Sequence, residues 1–423
     1  MSAPRRVVVI ARAVRPLHGE GGLERSVHDL VRHLAARQVH VTLITPPSTS
    51  VRRAGPGDPF ASPYITLRHV PYSTFPLANR RGTTILDRST AYPLFGWRAG
   101  RLALALARTD GADVVHAFGA SGLGYALCKS PNDPPLVVNP QGMEEFGASS
   151  HAPPGLKRWG YAPLRAAVRA TTRRAAAIIA TDRSIVPFAE RHLRPKAGQL
   201  ITIPNGIDLV EASGLAGPAE GQLLRHRHRI AADETVLLSV GRLEHNKGFD
   251  VLARALGRAV RPGGPLAALS WRWVLAGAGP YRAAIQSAVD AEGLGPHVLF
   301  AGRVSDADLH AWYEAATVFV HPSRYEGSSL VTLEAMAHRR AIIATRAGGL
   351  PDKVRPGVNG WLVDVDSVEG LTRAIDEAAE ARHSLPALGA ASRRIVEEEF
   401  SWTVLVESYL ASYASLSART PAS

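Results

Sequence analysis

Val7-Val8-Val9-Ile10, then Gly19-Glu20-Gly21-Gly22, then Val39-His40-Val41-Thr42-Leu43-Ile44: these three stretches decide the fold. The first and third are short apolar runs, each long enough for a buried strand. The glycines between them make a tight turn. From about Leu23 to Ala36, the apolar residues Val27, Leu30, Val31 and Leu34 share one face of a helix. Strand, turn, helix and strand in that order form a βαβ unit, which implies parallel pairing.

Outward from that unit the alternation continues. Val114-Val115-His116, Leu136-Val137-Val138 and Ala177-Ile178-Ile179-Ala180 read as further strands with helices between them. Residues 46–63, rich in Pro, Ser and Gly, read as a loop. Ile201-Thr202-Ile203 leads out of this domain into the turn Pro204-Asn205-Gly206. After a polar stretch to about Ala232 the alternation restarts. It gives strand 235–240, helix 249–260, strand 272–276, helix 280–292, strand 298–300, helix 306–315, strand 317–320, helix 329–337 and strand 341–344.

The restart predicts an α/β chain of two doubly wound Rossmann-like domains, 1–205 and 206–400, facing a central cleft at the carboxyl ends of their strands. The amphipathic pattern Trp402–Leu416 predicts a helix in 401–423 that closes the second domain or crosses back to the first, before a frayed tail.

Composition narrows the function. The chain has 423 residues, 46% hydrophobic and 20% charged, which suits two globular domains. Its one cysteine, Cys128, cannot form an intrachain disulfide, so a cytoplasmic location is expected. No apolar run approaches 18 residues, so no transmembrane helix is expected. No zinc-site spacing occurs, no Asp-x-Asp motif is suited to holding a divalent ion, and no metal is expected.

The net charge is +12, and residues 1–205 hold 27 basic against 12 acidic residues. Such an excess suits an anionic partner. Residues 156–174 combine Lys157, Arg158, Arg165, Arg169, Arg173 and Arg174 with Leu156, Trp159, Tyr161, Leu164 and Val168. A basic amphipathic helix of this kind can lie on the anionic inner face of a membrane. The same pattern also fits a solvated helix packed on its own domain. No helix-turn-helix, zinc-finger or aromatic RNA-binding signature accompanies the charge, so nucleic acid is not an expected partner.

Three loops that follow strands, and the end of one further strand, carry candidate chemistry. Gly241-Arg242 and Lys247 follow strand 235–240. Glycine admits close approach of a ligand, Arg242 offers a two-pronged fork, and Lys247 a point charge, a set suited to a diphosphate leaving group. Glu326-Gly327-Ser328-Ser329-Leu330 runs into a helix that carries Glu334. Ser328 or Ser329 can cap that helix, whose N–H groups then suit a phosphate. Glu326 and Glu334 can accept hydrogen bonds from two hydroxyl clusters, such as a sugar and a ribose. Gly21-Gly22 opens the first helix but is not a G-x-G-x-x-G fingerprint. His116 ends a strand, pointing either into the cleft or into the sheet.

Together the stretches Gly241-Arg242-Leu243-Glu244 with Lys247-Gly248, Ala276-Gly277-Ala278-Gly279-Pro280, His321-Pro322-Ser323, Glu326-x7-Glu334-Ala335-Met336-Ala337, Ala347-Gly348-Gly349-Leu350-Pro351-Asp352 and Asn359-Gly360-Trp361 resemble glycosyltransferase family 4, a family of GT-B fold. Gly21-Gly22-Leu23-Glu24 and Pro204-Asn205-Gly206-Ile207-Asp208 fit the same resemblance.

The resemblance implies a retaining transfer from a nucleotide-diphosphate sugar to a glycan, lipid-linked or small-molecule acceptor, with no other cofactor. It implies that Arg242 and Lys247 bind the diphosphate, Glu326 the sugar hydroxyls and Glu334 the ribose. Backbone at Gly327, Ser328, Ser329 and Leu330 would meet sugar and phosphate. Arg303 would border the base, Gly22 the diphosphate, and His116 the sugar.

Two features depart from the pattern. Many members read Glu-Gly-Phe-Gly where this chain has Glu326-Gly327-Ser328-Ser329, and His-x-His where it has His116-Ala117-Phe118. A nucleotide-sugar epimerase or a phosphorylase of like fold, and a basic nucleic-acid-binding protein, are the competing expectations.

Overall fold

The computed structural model describes residues 4–19, 21–48, 60–73, 84–147 and 159–418. It divides into two units, Met1–Pro204 with Trp402–Ser423, and Asn205–Ser401.

The first unit holds β1 (Arg6–Ile10), β2 (His40–Thr45), β3 (Ile65–His69), β4 (Val114–Phe118), β5 (Leu136–Asn139), β6 (Ala177–Ala180) and β7 (Leu200–Thr202). They form one sheet in the order β3-β2-β1-β4-β5-β6-β7. Every pairing is parallel. Val7–Ile10, β4, β5 and β6 are buried throughout, the mark of strands covered on both faces. In the helix Gly22–Ala36, the predicted stripe Val27, Leu30, Val31 and Leu34 is fully buried against this sheet. The strand order reverses between β1 and β4, which opens a crevice at their carboxyl ends.

The C-terminal helix, Trp402–Ser417, belongs to this first unit. Its Trp402, Leu405, Val406, Tyr409 and Tyr413 join the apolar cluster of β1 and the Gly22–Ala36 helix. Trp402 Nε1 donates to the buried Asp29 carboxylate at 3.1 Å.

The second unit holds β8 (Thr235–Val240), β9 (Trp271–Ala276), β10 (Val298–Gly302), β11 (Val318–His321), β12 (Ala341–Thr345) and β13 (Gly360–Val363), in the order β10-β9-β8-β11-β12-β13. These pairings are parallel as well. The predicted strands differ from the observed ones by at most two residues at an end. The reversal lies between β8 and β11, so the loops after these two strands are neighbours. Both units are thus doubly wound and Rossmann-like, as expected.

Two strands escaped the sequence patterns. β3 is a half-exposed edge strand whose Thr66, Arg68 and His69 dilute its apolar signal. β13 is four residues long and opens on Gly360. Part of the predicted loop 46–63 lies outside the described residues. Among the described residues no helix is long and apolar enough to cross a membrane.

Candidate active site

The switch point of the second unit assembles a charged cluster. β11 ends at His321, and the chain turns through Pro322–Ser329 into the helix Leu330–Ala337. β8 ends at Val240, and a short turn, His245–Lys247, brings Lys247 across. Lys247 Nζ donates to Glu326 Oε2 at 2.6 Å, and His321 Nε2 lies 2.7 Å from the same oxygen. Ser323 Oγ is 3.3 Å away. The Lys247 and Glu326 side chains are only 14% and 15% exposed, so this is not a screened surface pair.

Burial alone would push the Glu326 carboxyl up. The Lys247 ammonium and the His321 hydrogen bond reverse that and hold it well below the usual carboxylate range. Burial pushes His321 the other way, below its ordinary value, and so favours the neutral imidazole. A neutral ring that donates from Nε2 carries no proton on Nδ1. That Nδ1 is buried with no partner among the described residues.

Two glycines let these loops meet. Gly248 has φ +68, and a Cβ there would overlap the Pro322 carbonyl oxygen. Gly348 has φ +51, and a Cβ there would overlap the Glu326 carbonyl oxygen. Glu326 is therefore fixed at its carboxylate by Lys247 and at its backbone by the loop after β12.

Beside this cluster, at the carboxyl ends of β8, β9 and β10, lies a cavity of about 360 Å³. Gly241, Arg242 and Arg303 line it with the apolar Val240, Ala276, Val304 and Leu309. The Arg242 side chain is 77% exposed and forms an ion pair with Glu244 at 2.6 Å. Fork-shaped cations beside a small apolar slot can hold a phosphate and a planar ring together.

Ser329 occupies the N-cap position of the Leu330–Ala337 helix, but its side chain makes no cap hydrogen bond, which corrects the expected serine cap. Its hydroxyl instead accepts from Thr332 Oγ1 at 3.0 Å. Ser328 Oγ accepts from Lys353 Nζ at 3.3 Å. With no side chain across them, the first N–H groups of the helix can receive an anion. Glu334 is buried within this helix, and the Tyr313 hydroxyl donates to its Oε2 at 2.8 Å.

Residues 20–211 match the sequence profile of Glycosyltransferase Family 4, and residues 234–381 match that of glycosyl transferases group 1. The chain belongs to glycosyltransferase family 4. A GDP-mannose-dependent alpha-(1-6)-phosphatidylinositol monomannoside mannosyltransferase of Mycobacterium tuberculosis is 31% identical over 58% of this chain. That match covers 64% of the mycobacterial protein, less than two thirds of its length. D-inositol 3-phosphate glycosyltransferase 1 of Catenulispora acidiphila is 29% identical over 98% of this chain and 96% of its own. Among solved structures, sucrose-phosphate synthase from Thermosynechococcus elongatus superposes with a TM-score of 0.73 at 24% identity, covering 98% of this chain and 99% of that one. The likeness identifies the fold as GT-B.

As a family 4 chain, it departs from expectation at His116. The side chain is fully buried in the first unit, with Nδ1 2.6 Å from the Tyr413 hydroxyl and the ring stacked on Phe118. Burial pulls its pKa down to about 3. His116 is a core residue covered by the C-terminal helix, which corrects its expected place beside the sugar. Because the unfolded imidazole titrates near 6.5 and the folded one near 3, the unfolded chain takes up the extra proton. Stability from this group is complete above pH ~6.5 and falls as pH drops toward 3. His116→Gln is expected to keep kcat within about twofold and to lose that acid-side slope; urea melts from pH 7 to 4 with parallel rate assays check both.

Gly22 is the first residue of its helix, exposed, and also belongs to the first unit. The second unit therefore carries Gly241, Arg242, Lys247, Arg303 and Glu326–Ser329 in loops after its strands, and Leu330 and Glu334 on the helix that follows β11. Sequence reasoning assigned no role to His321, Ser323, Tyr313, Asn205 or Lys353. His321 and Ser323 stood in a family stretch and were legible as candidates. Asn205 stood in a family stretch as well; Tyr313 did not, and its partner lies 21 residues away.

Proposed function

We propose that this chain is a retaining glycosyltransferase that moves a hexosyl unit from a nucleotide-diphosphate sugar to a glycan, lipid-linked or small-molecule acceptor, without a divalent metal. The observation that carries the reading is the Lys247–Glu326 pair at the β8/β11 switch point, beside an uncapped helix N-terminus and the Arg242–Arg303 cavity. In this reading Arg242, Lys247 and the N–H groups near Gly327–Leu330 hold the diphosphate and stabilise it as it leaves. Gly241 leaves room for it. Glu326 grips sugar hydroxyls, Glu334 the ribose, and Arg303 borders the base.

Glu326 is already tied to Lys247 and His321, so it orients the sugar and does not attack it. The acceptor approaches the face from which the diphosphate departs, and the diphosphate oxygen takes the acceptor proton. Charge from Arg242 and Lys247 stands in for a metal ion.

The first unit supplies the acceptor side. A cavity of about 210 Å³ lies at the carboxyl ends of β1, β4 and β5, lined by Arg12, Arg88, Tyr92, Gln141, Glu144 and Glu145. Its mix of cations, carboxyls and amide suits a polyhydroxylated acceptor. The C. acidiphila relative, named for an inositol phosphate, supports a polyol acceptor.

The chain is proposed to work in the cytoplasm, on the inner face of the membrane. Trp159 is 79% exposed just before the basic helix Ala162–Arg173, while Leu156, Lys157 and Arg158 lie outside the described residues. Co-sedimentation with vesicles is expected to rise with anionic lipid and to fall with salt and in Trp159→Ala. Binding indifferent to anionic lipid would remove the membrane from the account.

The activity is tested by incubating the chain with UDP-, GDP- and ADP-sugars and a panel of polyol and lipid acceptors in chelator. The reading predicts a glycoside of the donor's own anomeric configuration. An inverted product, or a requirement for added divalent ion, contradicts it.

A further inference from the structure

The Glu326 loop departs from the family pattern at Ser328-Ser329, and a second unusual feature lies directly against that departure. Lys353 is fully buried. Its Nζ lies 3.3 Å from Ser328 Oγ, 3.3 Å from the Gly349 carbonyl oxygen, and 5.4 Å from the centre of the Phe400 ring. A buried ammonium is costly to desolvate, and apolar side chains of similar volume are often as stable in its place. Stability is therefore a poor reason for a lysine at this position.

Its hydrogen-bonding character gives a better one. An ammonium carries only donors. Lys353 therefore occupies a lone pair of the Ser328 hydroxyl and cannot take its proton. That proton is turned away from Lys353, and no described residue accepts it. The rest of the loop is pinned. The Ser328 carbonyl accepts from Asn205 Nδ2 at 3.5 Å, the Ser329 hydroxyl accepts from Thr332, and the Glu326 backbone abuts Gly348. Ser328 is only half-buried, so a ligand at the loop can reach it.

We propose that Lys353 is a positioning residue that sets Ser328 as a hydrogen-bond donor to an oxygen of the bound nucleotide sugar. The acceptor oxygen belongs to the diphosphate or to the transferred sugar. This rests on the reading of the second unit as a donor site. The departure Ser328 and the buried Lys353 form one device, which replaces an apolar side chain with an aimed hydroxyl.

The test uses the full chain and the nucleotide sugar that wild type binds, together with its free nucleoside diphosphate, by calorimetric titration and unliganded melting. Lys353→Met is expected to melt no lower than wild type yet to bind donor about tenfold more weakly, the scale of one directed hydrogen bond. Ser328→Ala is expected to show the same loss, the double variant no further loss, and Ser328→Thr near-wild-type binding. A loss seen with the free diphosphate places the oxygen on the phosphates; one seen only with the nucleotide sugar places it on the sugar.

Wild-type donor binding by both Lys353→Met and Ser328→Ala overturns the proposal, as do losses that add in the double variant. A Lys353→Met that melts early and keeps its affinity marks a structural lysine and also overturns it. Should Lys353→Met fail to fold, Ser328→Ala against Ser328→Thr decides: a tenfold gap supports the device, and equal binding overturns it. A wild type that binds no nucleotide at all overturns the donor-site reading and this device with it.

Discussion

Lys247→Ala is expected to lower kcat/KM on the order of 10²–10³-fold, the scale seen when one preorganised donor to a developing negative charge is removed. The loss should fall mainly on kcat, because leaving-group charge grows toward the transition state. The variant should also be less stable by about 3 kcal/mol near neutrality, since it leaves the buried Glu326 carboxylate without its ammonium partner.

That destabilisation has a pH signature. In wild type the folded Glu326 pKa is depressed below its unfolded value near 4.3. Its stabilisation is present in full above pH ~4.3 and is lost as pH falls through the folded value. In Lys247→Ala the opposing effect of burial dominates, and the carboxyl rises. Acidification then protonates Glu326 in the variant first, so the stability gap to wild type should narrow as pH falls. Urea melts at pH 7, 5.5 and 4.5 measure this; a gap that widens on acidification would place the penalty elsewhere.

Gly348→Ala is expected to produce the second large effect. At φ +51 a side chain is strained by about 1 kcal/mol even in open space. Here the added Cβ would also overlap the Glu326 carbonyl oxygen, so one of the two loops must shift. A displacement near 1 Å at a positioning residue costs about 10² in rate. The expected outcome is a lower Tm with kcat/KM down about a hundredfold. Gly357 supplies the control: its φ is +75, but nothing lies within 4 Å of its missing Cβ. Gly357→Ala should show the strain in Tm and retain full activity. Equal rates for the two variants would disprove the steric link between Gly348 and Glu326.

How much of this was legible in the sequence follows from what each feature depends on. β8 and β12 are built on short apolar runs, Val236-Leu237-Leu238 and Ala341-Ile342-Ile343-Ala344, and the restart of alternation near residue 235 is local, so two parallel sheets could be read directly. The loops Gly241-Arg242, Lys247 and Glu326 could be placed after strands for the same reason. Their meeting could not. Lys247 and Glu326 are 79 residues apart, and they meet because β8 lies beside β11 with Leu237 opposite Val318. Strand order is a tertiary fact with no local signature.

His116 shows the same limit. Its place near the end of β4 was legible, but which face it occupies was not. The helix that buries it arrives 297 residues later and sets the Tyr413 hydroxyl against its ring. Ser329 was correctly placed at the helix start, but Thr332 competes for its hydroxyl, and a one-turn side-chain exchange is invisible to spacing. Lys353 stood in the sequence as one lysine between Asp352 and Val354, and only packing shows that it reaches Ser328.

The central claim is that the Lys247–Glu326 loop pair is a donor-diphosphate site. Calorimetric titration of the full chain with UDP-, GDP- and ADP-sugars, repeated on Lys247→Ala, tests it most directly. Wild type should bind one of these nucleotide sugars and its free diphosphate, and Lys247→Ala should bind both at least about tenfold more weakly. Binding of equal strength in wild type and Lys247→Ala, or no binding of any of the three to wild type, would contradict the account.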